Sequence, residues 1–415
     1  MRIRAIGPAA LVVVALLVAA CGGGTGGTSS PGAATPSPSP KPPCKTGTGA
    51  ALPTGADLKI GVVADIGTVN DKNFNEYSAK GAADAAAALS ATALPPLVPK
   101  SASEYASLIQ QMVDAGTHII VTVGFNLANG TVEAACQNPD TWFVGVDQSP
   151  ICVDPSGHAD STFACAGKAA DLLPRYVSIM YQEDQPGYLV GIIAASLSES
   201  GVIGAIGGTS ACAPCIRYIQ GYELGAKSVK PDIEVNAEYV VSDFSDKAFH
   251  DQPGGKLFAQ NFMTQFPGTD VIFQVAGETG NGVLEAACAA DIHGIGVDVD
   301  QWLSLQADTN PGYQCLVTSA EKNLQLTVAE QIGKIAAGTA AGGDVLFNAA
   351  NDGVGISPEH GSEGLITAEI QGLVDDAIAA MKATPPLVTC PETCGKLAPA
   401  GSPAPSGSPA ASGTP

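Results

Sequence analysis

Asn129-Gly130-Thr131-Val132-Glu133-Ala134-Ala135-Cys136 returns 152 residues later as Asn281-Gly282-Val283-Leu284-Glu285-Ala286-Ala287-Cys288, with six of eight positions identical. Each copy is followed, ten or eleven residues on, by an apolar run ending in Val-Asp, at Asp147 and Asp298. A glutamine follows each aspartate, Gln148 and Gln301. A period this long is not that of a solenoid, whose units run roughly 20–50 residues. It fits two similar α/β lobes in one chain. Around the repeat, short apolar runs at 58–64, 118–123, 142–146, 202–206, 271–275, 292–297 and 315–318 alternate with amphipathic segments. Strands alternating with helices imply parallel sheets covered on both faces. One helix start is explicit. Ser101 and Glu104 form a capping-box pattern before Leu108, Ile109, Met112 and Val113, and Gly116 closes that helix.

The chain has 415 residues, enough for two or three domains. Nineteen Lys and Arg against forty Asp and Glu leave a net charge of −21. That balance argues against binding nucleic acid through its phosphates and against adsorption to anionic lipid. Arg2 and Arg4 precede an apolar run at 9–20. The run is shorter than the roughly 20 residues a membrane span needs, so residues 1–20 read as a signal peptide. Its exit, Leu17-Val18-Ala19-Ala20-Cys21, resembles a bacterial lipobox, which makes Cys21 the lipidated residue. Residues 21–56 are then the lipidated cysteine and a flexible Gly/Pro/Ser/Thr linker, and 385–415 a Cys/Pro-rich, disordered tail. The expected lobe I spans 57–182, with about 320–345 returning to it. Lobe II spans 183–319, with about 346–384 closing the hinge and the last helix. The protein is expected on the extracytoplasmic face of the cell membrane, held there through its lipid only, and monomeric.

Ten cysteines remain beside Cys21. An even number outside the cytoplasm reads as disulfides, with Cys152–Cys165 and Cys390–Cys394 as local candidates. Cys212-Ala213-Pro214-Cys215 has redox-motif spacing at a helix start, so a structural and a redox-active pair both stay open. No second pair at finger spacing supports a metal site.

Open parallel sheets bind ligands beyond the carboxyl ends of their strands. Asp65, Asp147 and Asp298 each end an expected strand and should face the space between the lobes. Carboxylates there suit a neutral ligand rich in hydroxyl or N–H groups and repel anions. The chain has no phosphate loop of the P-loop kind, no Gly-x-Ser-x-Gly and no His-Glu-x-x-His. A binding protein without cofactor or metal is expected rather than an enzyme.

Asp65-Ile66-Gly67-Thr68-Val69-Asn70-Asp71-Lys72-Asn73-Phe74-Asn75 resembles the opening motif of the basic membrane protein family. These are the substrate-binding lipoproteins of ABC importers, with nucleoside-binding members. The likeness continues at Gly187-Tyr188-Leu189-Val190-Gly191, Gly207-Gly208, Gly221…Gly225, Ala276-Gly277-Glu278-Thr279-Gly280, Ile295-Gly296-Val297-Asp298-Val299-Asp300-Gln301 and Gly353-Val354-Gly355-Ile356. It implies the periplasmic-binding type I fold, two Rossmann-like lobes joined by a multi-strand hinge. It also implies a base sandwiched by Phe74 and Phe244 and contacted by Asp65, with Asn75 and Asp147 beside it. Asp298 and Lys322 would hold the ribose, and Gly277 would offer a backbone contact. The implied partners are a purine-type nucleoside and a membrane permease. A sugar or furanosyl signal on the same fold, and a redox protein using Cys212 and Cys215, are the alternatives. Residues 249–255, the Cys212–Cys215 motif and the 152–165 loop depart from the family pattern.

Overall fold

The computed structural model describes residues 41–307, 309–361, 364–384 and 387. The expected signal peptide, Cys21 and the Cys390–Cys394 pair lie outside them. Lobe I begins with β1 (Lys59–Val63), α1 (Phe74–Ala88), β2 (Thr92–Ala93), α2 (Tyr105–Asp114), β3 (Ile119–Val123), α3 (Ala128–Gln137), β4 (Trp142–Val146), α4 (Ala169–Leu172) and β5 (Tyr176–Tyr181). Lobe II follows with α5 (Asp184–Leu197), β6 (Val202–Thr209), α6 (Ala213–Val229), β7 (Glu234–Val241), α7 (Asp246–Phe249), α8 (Gln252–Gln265), β8 (Val271–Val275), α9 (Gly277–Ala289), β9 (His293–Asp298), α10 (Gln301–Ala307) and β10 (Leu316–Lys322). The chain then returns to lobe I for α11 (Leu324–Ala336) and β11 (Gly343–Phe347). It ends in lobe II with β12 (Val354–Ile356) and α12 (Ala368–Lys382).

Each lobe is one six-stranded sheet. The orders are β11-β5-β4-β3-β1-β2 and β12-β10-β9-β8-β6-β7. Every pairing is parallel except β10 with β12. Strands such as β3 (IIVTV) and β8 (VIFQV) are buried along their whole length. They can be, because helices cover both sheet faces. In lobe I, α1 and α11 pack on one face and α2 and α3 on the other; in lobe II, α5 and α6 oppose α8 and α9. The chain passes between lobes three times, after β5, β10 and β11.

All seven expected strands form, and β2, β5, β7, β11 and β12 join them. The Ser101–Glu104 capping box does not form. Glu104 Oε2 instead accepts from Lys100 N, and the Ser101 hydroxyl pairs with that of Ser103. A short 3₁₀ turn, Ala102–Glu104, intervenes before α2 and takes those side chains out of capping position. Gly116, at φ 70°, does end the helix.

Residues assigned by composition to the linker are partly docked. Cys44 is bonded to Cys136, Thr48 N donates to Asp140, and Arg175 donates to Ala50 O. A polar segment can lie on a lobe when backbone hydrogen bonds and a covalent tie replace apolar burial. The structure also pairs Cys152 with Cys165, Cys212 with Cys215, and Cys288 with Cys315.

The family-like glycines have a packing cause. Helices α5 and α6 meet backbone to backbone. A Cβ on Gly221 or Gly225 would lie 2.1 or 2.0 Å from the carbonyl oxygen of Asp184 or Tyr188. One on Gly187 or Gly191 would lie 2.3 or 2.2 Å from that of Tyr218 or Tyr222. This close contact seats the first turns of α6 at the hinge.

Candidate functional site

The repeat read from sequence places two aspartates at equivalent points. Asp147 follows β4 and Asp298 ends β9, and both adopt left-handed backbone, φ 59° and 64°. Non-glycine residues seldom adopt that conformation unless their surroundings hold them there. The paired glutamines supply the hold. Gln148 Nε2 donates to the carbonyls of Thr122 (3.1 Å) and Gly124 (3.0 Å). Gln301 Oε1 accepts from Val297 N (2.9 Å), and its Nε2 donates to Asn281 Oδ1 (2.9 Å). Each glutamine thus locks the carboxyl ends of neighbouring strands.

Between the lobes lies a partly enclosed cavity. From lobe I come Asp65, Asp71, Phe74, Asn75, Phe125 and Asp147; from lobe II come Tyr218, Phe249, His250, Gly277, Glu278 and Asp298; Lys322 stands at the second crossing. Of the residues singled out from sequence, Asp65, Phe74, Asn75, Asp147, Gly277, Asp298 and Lys322 meet here. Phe244 does not line the cavity. It sits on the loop after β7, 46% exposed, with its ring 5.1 Å from that of Phe125. Instead Phe249 lines the cavity; it is the last residue of the short helix α7 and the first of the segment, 249–255, where the sequence departs from the family pattern.

Lys322 is the electrostatic centre. Its ammonium lies 2.6 Å from Asp147, 3.1 Å from Glu183 and 3.7 Å from Asp298. Glu183, fully buried, also pairs with Arg217. Tyr218 donates to Asp298 Oδ1 at 3.1 Å. Burial alone would pull the lysine pKa down, but the three carboxylates hold it above the usual lysine range. Burial pushes Asp147 up, against Lys322, and also raises Asp298. Glu183 is held low, because Arg217 and Lys322 outweigh its burial. Three carboxylates against two cations leave the cluster at −1, and Asp147 Oδ1 is buried without a hydrogen-bond partner. The chemistry asks for a ligand that donates hydrogen bonds.

The opposite wall is set by the turn after β1. Asp71 caps α1 by accepting from the amides of Asn73, Asn75 and Glu76. That cap orients Phe74 and Asn75 at the helix start. Asn75 Oδ1 accepts from Asp65 N (3.1 Å), and burial raises the Asp65 carboxyl against its hydrogen bonds. The Phe74 ring stands 5.4 Å from the Lys322 ammonium. Cys212 and Cys215, buried as a disulfide, open α6 and also line the cavity. Sequence reasoning missed Tyr218, Arg217 and Glu183; the first two follow that cysteine motif on one helix, which was the available signal. Trp302 lies outside the cavity, stacked on His360.

A family model described as ABC transporter substrate-binding protein PnrA-like, the Bmp family, matches residues 58–372. The chain belongs to this family. A Bmp-type protein of Lactococcus lactis subsp. cremoris, described as ABC transporter nucleoside-binding protein BmpA, is 29% identical over 340 residues, 79% of this chain and 86% of that one. Basic membrane protein A of Borreliella burgdorferi is 30% identical over 247 residues, 59% of this chain and 64% of that one. A solved solute-binding protein of an ABC transporter from Conexibacter woesei superposes with a TM-score of 0.60 at 21% identity, over 80% of this chain and 98% of that chain. The Bmp-family chain therefore has the type I periplasmic-binding architecture and is an ABC-transporter solute-binding protein. Among the described residues, no helix is long and apolar enough to cross a membrane.

Proposed function

We propose that the protein, tethered outside the cytoplasm through Cys21, captures a purine nucleoside between its lobes and delivers it to an ABC-importer permease. The observation that carries this reading is the inter-lobe cavity, which combines aromatic rings from both lobes with the Asp147–Lys322–Asp298 cluster. Phe74 and Phe249 offer faces for a flat base, and such stacking is worth about 1–3 kcal/mol per base in nucleic-acid binders. Carboxylates oriented by a buried ammonium suit a pair of ribose hydroxyls. The relative described as nucleoside-binding adds support at 29% identity. The Cys212–Cys215 disulfide is 2% and 4% exposed, which favours a wall of the site over an exchanging pair.

A thermal-shift screen tests the reading. A ligand that binds only the folded state raises the melting temperature with its concentration. Adenosine, inosine and guanosine should each raise it, while free ribose should not. Stabilisation by ribose or other sugars with none by nucleosides would transfer the site to the sugar alternative.

A further inference from the structure

Asp65 is the carboxylate beside Phe74, and its hydrogen-bonding capacity is nearly spent within the protein. Oδ1 accepts from Ile66 N at 2.7 Å and from the Tyr105 hydroxyl. Oδ2 accepts from Asn126 Nδ2 at 3.2 Å. A carboxylate has about four acceptor sites, two on each oxygen. One site remains, and it is on Oδ2. Gly124 keeps that oxygen uncovered, for a Cβ there would lie 2.6 Å from Oδ2. Tyr105 opens α2 and is only 6% exposed, so its hydroxyl is held in place by packing. Asn75 spends its carbonyl oxygen on Asp65 N, which leaves its amide nitrogen as the donor on the same wall.

We propose that Tyr105 is a positioning residue that sets base preference: by occupying Oδ1 it leaves Asp65 one acceptor site, which fits a purine edge presenting one N–H. This rests on the nucleoside reading above. Hypoxanthine presents N1–H beside the O6 acceptor, which matches Oδ2 and the Asn75 amide. Guanine presents N1–H and an N2 amine together. A carboxylate with both oxygens free would take both donors side by side. Here the amine finds Oδ1 filled and is buried without a partner.

The test is calorimetric titration of the purified protein and of its Tyr105→Phe variant with inosine and with guanosine. A donor buried without a partner weakens binding, so the wild type should bind inosine about tenfold more tightly than guanosine. Tyr105→Phe keeps the ring and frees Oδ1, so the guanosine-to-inosine affinity ratio should rise by about tenfold. A merely structural role would weaken both ligands alike and leave the ratio unmoved. That result, with the wild type still binding purine nucleosides, overturns the inference and spares the nucleoside reading. Wild-type protein that binds guanosine as tightly as inosine also overturns it, whether or not the variant folds. Wild-type protein that binds neither removes the nucleoside reading and this inference together.

Discussion

Replacing Lys322 by methionine isolates what the hinge cluster contributes. The side chain is 2% exposed and sits among three carboxylates at 2.6, 3.1 and 3.7 Å. Methionine fills similar volume but takes the cluster from −1 to −2, leaving Asp147 and Asp298 with no cation beside them. Breaking a buried ion pair by removing one partner typically costs about 3–5 kcal/mol. At about 2.1 cal/mol/K of unfolding entropy per residue, about 340 folded residues convert that to a fall in melting temperature of about 4–7 °C. The cost comes from uncompensated charge rather than lost packing. Adding Asp147→Asn to Lys322→Met should therefore recover more than half of it, a strong positive coupling between residues in contact. Differential scanning calorimetry at pH 7 of the single and double variants measures both quantities. A Lys322→Met protein melting within 1 °C of wild type would refute the reasoning. So would a double variant whose loss is the sum of the two single losses.

Phe249→Ala should weaken nucleoside binding by about tenfold, the loss of one stacking face, whereas Phe244→Ala, outside the cavity, should change it less than about threefold in the same titration. Burial and the nearby Asp300 raise the Glu321 carboxyl to about 7. A carboxyl that binds its proton more tightly when folded makes stability rise as pH falls, here from about 7 down to its unfolded value near 4.3. Glu321→Gln should remove that slope and raise stability at pH 8 by about 2–3 kcal/mol, read from urea midpoints at pH 5 and pH 8. Gly225→Ala, which drives a methyl into the Tyr188 carbonyl, should cost more than about 2 kcal/mol in the same urea assay while leaving the other side of α6 untouched.

The parts of this fold that sequence made legible are those carried by local pattern. The seven apolar strands stood out because strands buried on both faces read as continuous Val/Ile runs. Strand β7 (EVNAEYVV) did not, because it is the edge of its sheet and alternates polar with apolar residues. Strand β11 pairs with β5 across more than 160 residues, and no local signal records that return. In the site, Asp65, Asp147 and Asp298 were legible from their places at strand ends. Phe249 was not, because the choice between two nearby aromatics is made by the four-residue helix α7. Glu183 and Arg217 were hidden for a similar reason: their pairing depends on how closely α6 seats against α5.

The most direct measurement is a crystal structure of the protein grown with inosine. The account predicts one nucleoside in the inter-lobe cavity, its base between Phe74 and Phe249 and its ribose hydroxyls on Asp298 and Lys322. An inosine bound elsewhere, or a cleft that excludes it at millimolar concentration while a sugar occupies the same carboxylates, would contradict it.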